Sequence, residues 1–162
     1  MIYPFNAAEA FKMAISIEEN GLEFYRQAAG LIGSGPVAEL FRQLAEEEKG
    51  HKSTFTEYLS KVKDQGPTVF DPDNETDAYL KMMADLHVFR QKPGAVAEAL
   101  ANVKTPQDAL KLAINFEKDT VVFFVELKAA VGEQADRLEV DKLILEEAGH
   151  IRKLARVYAK NI

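Results

Sequence analysis

Two Glu-x-x-His triplets stand out in the chain, Glu48 with His51 and Glu147 with His150. On a helix, residues three apart are neighbours on one face, so each triplet offers a carboxylate and an imidazole to the same point in space. Two further glutamates, Glu18 and Glu117, each precede one triplet. Oxygen and nitrogen donors without sulfur suit iron or manganese, and zinc also accepts them. Four ionised glutamates carry −4, and two divalent cations balance that charge while two neutral histidines add none. A lone Glu-x-x-His on a helix is more often a solvated pair. Here two of the chain's three histidines have Glu at −3, and both pairs share an offset of 99 residues.

That offset is an internal repeat. A shift of 99 lays AISIEENGLEFY (14–25) on AINFEKDTVVFF (113–124) and LAEEEKGH (44–51) on LILEEAGH (143–150), with no gap in either pair. Repetition at this scale means a duplicated structural unit. Glu18 falls on Glu117, Glu48 on Glu147 and His51 on His150.

The elements that must position these groups read as helices. Asn6 and Glu9 form a capping-box pattern that opens a helix running to about Ile32, closed by Gly33-Ser34-Gly35. Pro36 opens a second helix, to about Lys63, which Gly66-Pro67 ends. A crossover of about 40 residues follows: the turn-rich Asp71-Pro72-Asp73-Asn74, an amphipathic stretch from Ala78 to Arg90, Pro93-Gly94, and a short apolar piece to Val103. Thr105-Pro106-Gln107-Asp108 caps a third helix to Val131, with Gly132 as C-cap, and a fourth runs from about Glu133 to Lys160. The core-facing stripes are Phe11, Ile15, Glu18, Leu22, Tyr25, Ala29; Val37, Phe41, Leu44, Glu48, His51, Phe55, Tyr58, Val62; Leu110, Ile114, Glu117, Val121, Phe124; and Val140, Leu143, Glu147, His150, Leu154, Val157. Each is interrupted once, midway, by ionisable residues, so six side chains converge at one level of an all-α four-helix bundle. Unpaired charge buried there costs several kcal/mol per group. Two metal ions remove that cost. One Glu from each of two helices and Glu-x-x-His from each of the other two is the ligand inventory of di-iron carboxylate bundles.

Composition narrows the rest. The 162 residues are 47% hydrophobic and 28% charged, the balance of one globular domain spanning 1–162, with helix pairs over about 6–63 and 105–160 and the crossover between them. The absence of Cys excludes disulfides, thiolate zinc sites and Cys-held iron–sulfur centres. A net charge of −6 argues against nucleic acid as a partner. No stretch approaches the length of an apolar membrane span, and MIYPFNAAEA lacks the pattern of a signal peptide, so a cytoplasmic location is expected.

The stretches IEENGLEFYRQAA, LAEEEKGH, INFEKDTVVFFVEL and LEEAGH resemble, in order, the four helices of the ferritin-like superfamily and within it the rubrerythrin-like proteins. The likeness covers Glu9 to Val157. It implies a ferritin-like bundle with the long helical crossover between helices two and three, and it carries the six di-metal ligands onto Glu18, Glu48, His51, Glu117, Glu147 and His150. Relatives of this kind act as peroxidases, oxidases or iron handlers. The sequence departs from the pattern in three places. The Cys-ligated rubredoxin domain is absent, so electrons must come from an external donor. The extra carboxylate three residues after the third-helix ligand is Thr120. The Met that ligates haem in bacterioferritins is Lys49, so no haem is expected.

Other residues carry smaller expectations. In related bundles an acid at the position of Glu47 or Glu146 hydrogen-bonds the ligand histidine of the opposite helix pair; an exposed acid is the plainer alternative. Tyr25 lies on the Glu18 face, about 10 Å further along the axis, and is a candidate proton or electron donor. Simple packing of a core aromatic is the reading its type favours. His87 lacks a Glu partner and reads as a surface residue, while Met82 and Met83 with Tyr79, Leu86 and Phe89 form an apolar face over the bundle or a subunit neighbour. The expected function is redox: two iron ions (manganese or zinc also fit), bridged by Glu48 and Glu147 with Glu18 and Glu117 terminal, reducing hydrogen peroxide or O₂ in a homodimer. The rival readings are an iron-storing or iron-handling cage and a metal-binding module without turnover.

Overall fold

A computed structural model describes residues 7–62, 75–89, 92–131 and 134–160. Among them there are six helices and no strand: α1 (Ala7–Ile32), α2 (Pro36–Val62), α3 (Glu75–Asp85), α4 (Ala95–Leu100), α5 (Pro106–Ala130) and α6 (Gln134–Lys160). The four long helices form the bundle and the two short ones lie on the crossover. The boundaries expected of the four long helices hold within a residue or two, whereas α3 begins and ends earlier than the amphipathic stretch expected from Ala78 to Arg90. The Asn6 cap, the turn at 71–74 and Gly132 lie outside the described residues.

Local chemistry sets the ends. Gly33 and Gly35 take φ of 84° and 94°, left-handed values that cost a side-chain-bearing residue strain, and the chain reverses there. Pro36 then occupies the first position of α2, where its missing N–H has no helical partner to lose. Thr105 opens α5 with a complete capping box. Its hydroxyl accepts from the Asp108 N–H at 3.2 Å, and Asp108 Oδ2 accepts from the Thr105 N–H at 2.9 Å. Helix α5 stops at Ala130, with Val131 extended as its C-cap, one residue earlier than its sequence pattern suggests.

The main pairs are α1 with α2 and α5 with α6; α1 also lies beside α5, and α2 beside α6. The crossover helices α3 and α4 rest on the α1–α5 side. This arrangement explains how the buried faces depart from the expected stripes. On α2 all eight stripe residues are buried, as read from the sequence. On α1 and α5, Ile15 and Leu22, and their repeat counterparts Ile114 and Val121, are only half-buried, while Ala14, Ile17, Phe24, Ala113, Phe116 and Phe123 are fully enclosed. A helix covered on a second side buries a wider face, displaced toward the cover.

The crossover also overturns the expectation for His87. It is 2% exposed, carried on the strap that leads out of α3 and turned inward onto α5, where its ring meets Thr120. Phe89 likewise faces the core at 0%, whereas Tyr79, Met82 and Leu86 are exposed, so the expected apolar face divides into an inner part and an outer part.

Candidate metal centre

Glu18, Glu48, His51, Glu117, Glu147 and His150 meet at one level of the bundle, all buried. They form two overlapping quartets: Glu18, Glu48, His51 and Glu147; and Glu48, Glu117, Glu147 and His150. Within each, one ligand atom per residue lies within 4.8 Å of the others. Glu48 and Glu147 belong to both. Glu147 turns Oε1 to His51 Nδ1 (2.6 Å) and Oε2 to His150 Nδ1 (2.9 Å). Glu48 does the same, Oε2 at 4.0 Å from His51 and Oε1 at 3.3 Å from His150. Of the two histidines, Glu18 Oε2 lies near His51, 3.4 Å from its Nδ1, and Glu117 Oε1 near His150, 3.3 Å from its Nδ1.

The histidines enter from the α2–α6 side with their rings stacked, centroids 5.5 Å apart and planes within 13°. Each Nε2 points outward to an acid of the opposite hairpin: His51 to Glu146 Oε2 and His150 to Glu47 Oε2, both at 2.7 Å. A carboxylate on Nε2 fixes the proton there and leaves the Nδ1 lone pair facing inward, which is the tautomer a metal requires. These are the partners expected of Glu47 and Glu146. Glu146 is nonetheless exposed, so the plainer reading of that residue holds as well.

The donor set fits cations. Both oxygens of Glu18, Glu48 and Glu147, Glu117 Oε2, and Nδ1 of both histidines are buried without a hydrogen-bond partner. His51 Nδ1 and Glu147 Oε1 approach closely yet lack hydrogen-bond alignment, as do atoms aimed at a shared third point. So many orphaned acceptors in a dry core are costly unless positive charge sits among them. Titration behaviour shows the same demand. Burial, then the carboxylates of Glu48 and Glu147, push Glu18 and Glu117 well above the usual range. Burial alone would lower His51, but Glu147 and Glu18 raise it to about 12. Without metal, protons supply the charge.

Tyr25 is fully buried, and its hydroxyl donates to Glu117 Oε1 across the bundle. It is therefore more than a packed aromatic, the reading its residue type favours. Burial and the Glu117 carboxylate raise its pKa well above 10, so it remains a phenol. Its repeat counterpart Phe124 has no hydroxyl to offer Glu18. Thr120, where an extra carboxylate is found in rubrerythrins, donates its hydroxyl to the Phe116 carbonyl (2.9 Å) and faces His87 Nε2 at 3.1 Å. Sequence reasoning missed His87, and only the approach of the crossover reveals it. Gly21 was missed too, although it is the repeat counterpart of Thr120, a signal present in the alignment of the two halves.

A bundle of this topology with paired carboxylate–histidine quartets defines a ferritin-like protein. The family model for rubrerythrin matches residues 9–158. The chain belongs to the rubrerythrin family, and the rubredoxin domain of rubrerythrins proper is not evident in it. A crystal structure from Thermotoga maritima, described as that of a candidate ferritin-like diiron-carboxylate protein, is similar over 100% of both chains with a TM-score of 0.78 and 23% identity. None of the curated proteins matches the chain. Among the described residues, no helix is long and apolar enough to cross a membrane.

Proposed function

We propose that the chain is a di-iron redox protein that reduces hydrogen peroxide or O₂ with electrons from an external donor. The observation that carries this reading is the sharing of Glu48 and Glu147 between two quartets whose inward atoms have no other partner. Glu48 and Glu147 would bridge the two ions; Glu18 with His51, and Glu117 with His150, would complete one position each. A bound iron pair supplies two electrons, one from each Fe(II); with two protons these convert one hydrogen peroxide to two waters, and the donor later returns both electrons.

The chain's own residues do the remaining work. Glu47 and Glu146 hold the histidine tautomers. Tyr25 holds its phenol proton against Glu117 Oε1, within the charge cluster and out of contact with solvent. That phenol favours turnover over a purely structural metal site, because a structural site has no use for a poised buried proton. Manganese or zinc would satisfy the same donors, and iron is preferred because the reading is redox. The protein is proposed to act as a cytoplasmic homodimer.

The test is anaerobic Fe(II) titration followed by rapid mixing with peroxide or O₂. Two irons bound per chain, both oxidised by one equivalent of peroxide, is the expected result. Saturable binding of two irons without oxidation by either oxidant would leave the metal-binding reading and remove the redox one.

A further inference from the structure

The two sides of the centre are closed differently. On the α2–α6 side the histidine rings and their carboxylate partners lie beneath a surface groove of about 640 Å³, lined among others by Glu47, His51, Glu146 and Lys153. On the opposite side, between α1 and α5 and under the crossover, the wall is aromatic. Phe116, buried at 0%, points into a notch left by Gly21. A Cβ at position 21 would lie 2.6 Å from Phe116 Cζ, 2.9 Å from its Cε1 and 3.2 Å from Glu48 Oε2. The ring tip and a shared carboxylate oxygen thus converge on the space that a side chain would occupy.

Phe116 cannot swing away freely, because its other neighbours are fixed. Phe89, His87 and Tyr25 pack against it with centroids at 5.1, 5.2 and 6.2 Å, the last two edge-on. The strap carrying His87 and Phe89 is tied down on both flanks. His87 Nε2 meets Thr120 Oγ1, the Val88 N–H donates to Asp119 Oδ2 at 3.0 Å, and Asn20 Nδ2 donates to the Phe89 carbonyl at 3.4 Å. The repeat is broken at both contact positions: Gly21 stands against Thr120, and Ile17 against Phe116. The two departures fit each other, since the larger side chain on α5 fills what the missing one on α1 leaves.

We propose that Phe116, seated against Gly21 and backed by the His87–Phe89 strap, is a specificity-determining residue. It limits what reaches the centre from the α1–α5 side to molecules the size of dioxygen or hydrogen peroxide and excludes organic hydroperoxides. This deepens the redox reading and rests on it. An organic hydroperoxide would otherwise take the same two electrons and two protons, giving one alcohol and one water.

The experiment compares the full-length protein with Phe116→Ala, and with Phe116→Leu in case the larger truncation fails to fold, each checked for two metals per chain. In the di-Fe(II) form, the oxidation rate by tert-butyl hydroperoxide is divided by that for hydrogen peroxide. Removing methylenes from an apolar wall changes selection by about tenfold or more, so that ratio should rise at least tenfold in Phe116→Ala. A second readout needs no turnover: azide and benzoate binding to the Co(II)-loaded protein, followed by visible absorption. Benzoate should perturb the variant and not the wild type. If neither peroxide oxidises any form, the redox reading fails and the anions decide this assignment alone. An unchanged anion selectivity, or an unchanged peroxide ratio in an oxidisable protein, overturns it.

Discussion

Lys153 Nζ stands 2.9 Å from Glu47 Oε1 and 3.1 Å from its Oε2, while Glu47 Oε2 receives the His150 ring. Burial would raise the Glu47 pKa, but Lys153, Gln43 and His150 outweigh it and hold the carboxyl below its usual range. The repeat counterpart of Lys153 is Thr54, so Glu146 holds His51 without such a cation. The two histidines are therefore braced unequally. Partners of this kind are worth about 10- to 100-fold in metal affinity. Glu47→Ala should weaken one of the two metals by that order and Glu146→Ala the other. Lys153→Ala should weaken only the metal on the His150 side. Calorimetric titration with Fe(II) or Co(II) checks this; equal losses of both metals in every variant would refute it.

The shared carboxylates give a sharper contrast. Glu48→Ala and Glu147→Ala each remove a residue common to both quartets and should reduce stoichiometry from two metals toward none. Glu18→Ala and Glu117→Ala each strip one quartet and should leave about one metal. Metal analysis of the four purified variants decides. A terminal variant that loses both metals while a shared-residue variant keeps both would reverse the assignment of bridges.

Tyr25→Phe removes only a hydroxyl, yet that hydroxyl is the hydrogen-bond donor to Glu117 Oε1. Metal binding should persist. Reaction with peroxide should slow by roughly a hundredfold if the phenol supplies a proton. Stopped-flow oxidation of the di-Fe(II) variant measures it, and a rate equal to wild type would assign Tyr25 to packing alone.

Burial holds His87 down at about 4 against an ordinary value of 6.5. As pH falls below 6.5 the unfolded chain takes up a proton there and the folded chain does not. Stability is thus lost progressively between about pH 6.5 and 4, by at most about 1.4 kcal/mol per pH unit, and is fully present above that window. His87→Gln keeps a donor for Thr120 and cannot titrate. The difference in unfolding free energy between wild type and variant should move in the variant's favour as pH falls through the window. Parallel curves from denaturant titrations at several pH values would contradict the burial of a neutral imidazole.

Much of the centre was legible because the chain states it twice. Glu48, His51, Glu147 and His150 interrupt otherwise apolar stripes at matching positions, and the repeat pairs Glu18 with Glu117. Helix α2, with the crossover on the far side of the bundle, buries the stripe its periodicity marks. Periodicity could not reveal which helices the crossover covers, so Ile15 and Ile114 were placed too centrally and His87 too far out. The Tyr25–Glu117 contact spans 92 residues and needs the relative height of two helices, which no local pattern encodes. For Gly21 the repeat marks the position, opposite Thr120, but an absent side chain has meaning only once its neighbours are known.

Each quartet takes three residues from one hairpin and one from the other: Glu147 completes the first, and Glu48 the second. Glu147 lies on α6, after both helices of the first hairpin in chain order. Neither quartet is therefore whole until α6 has docked against α2, so an isolated first hairpin has three of its four ligands and no more.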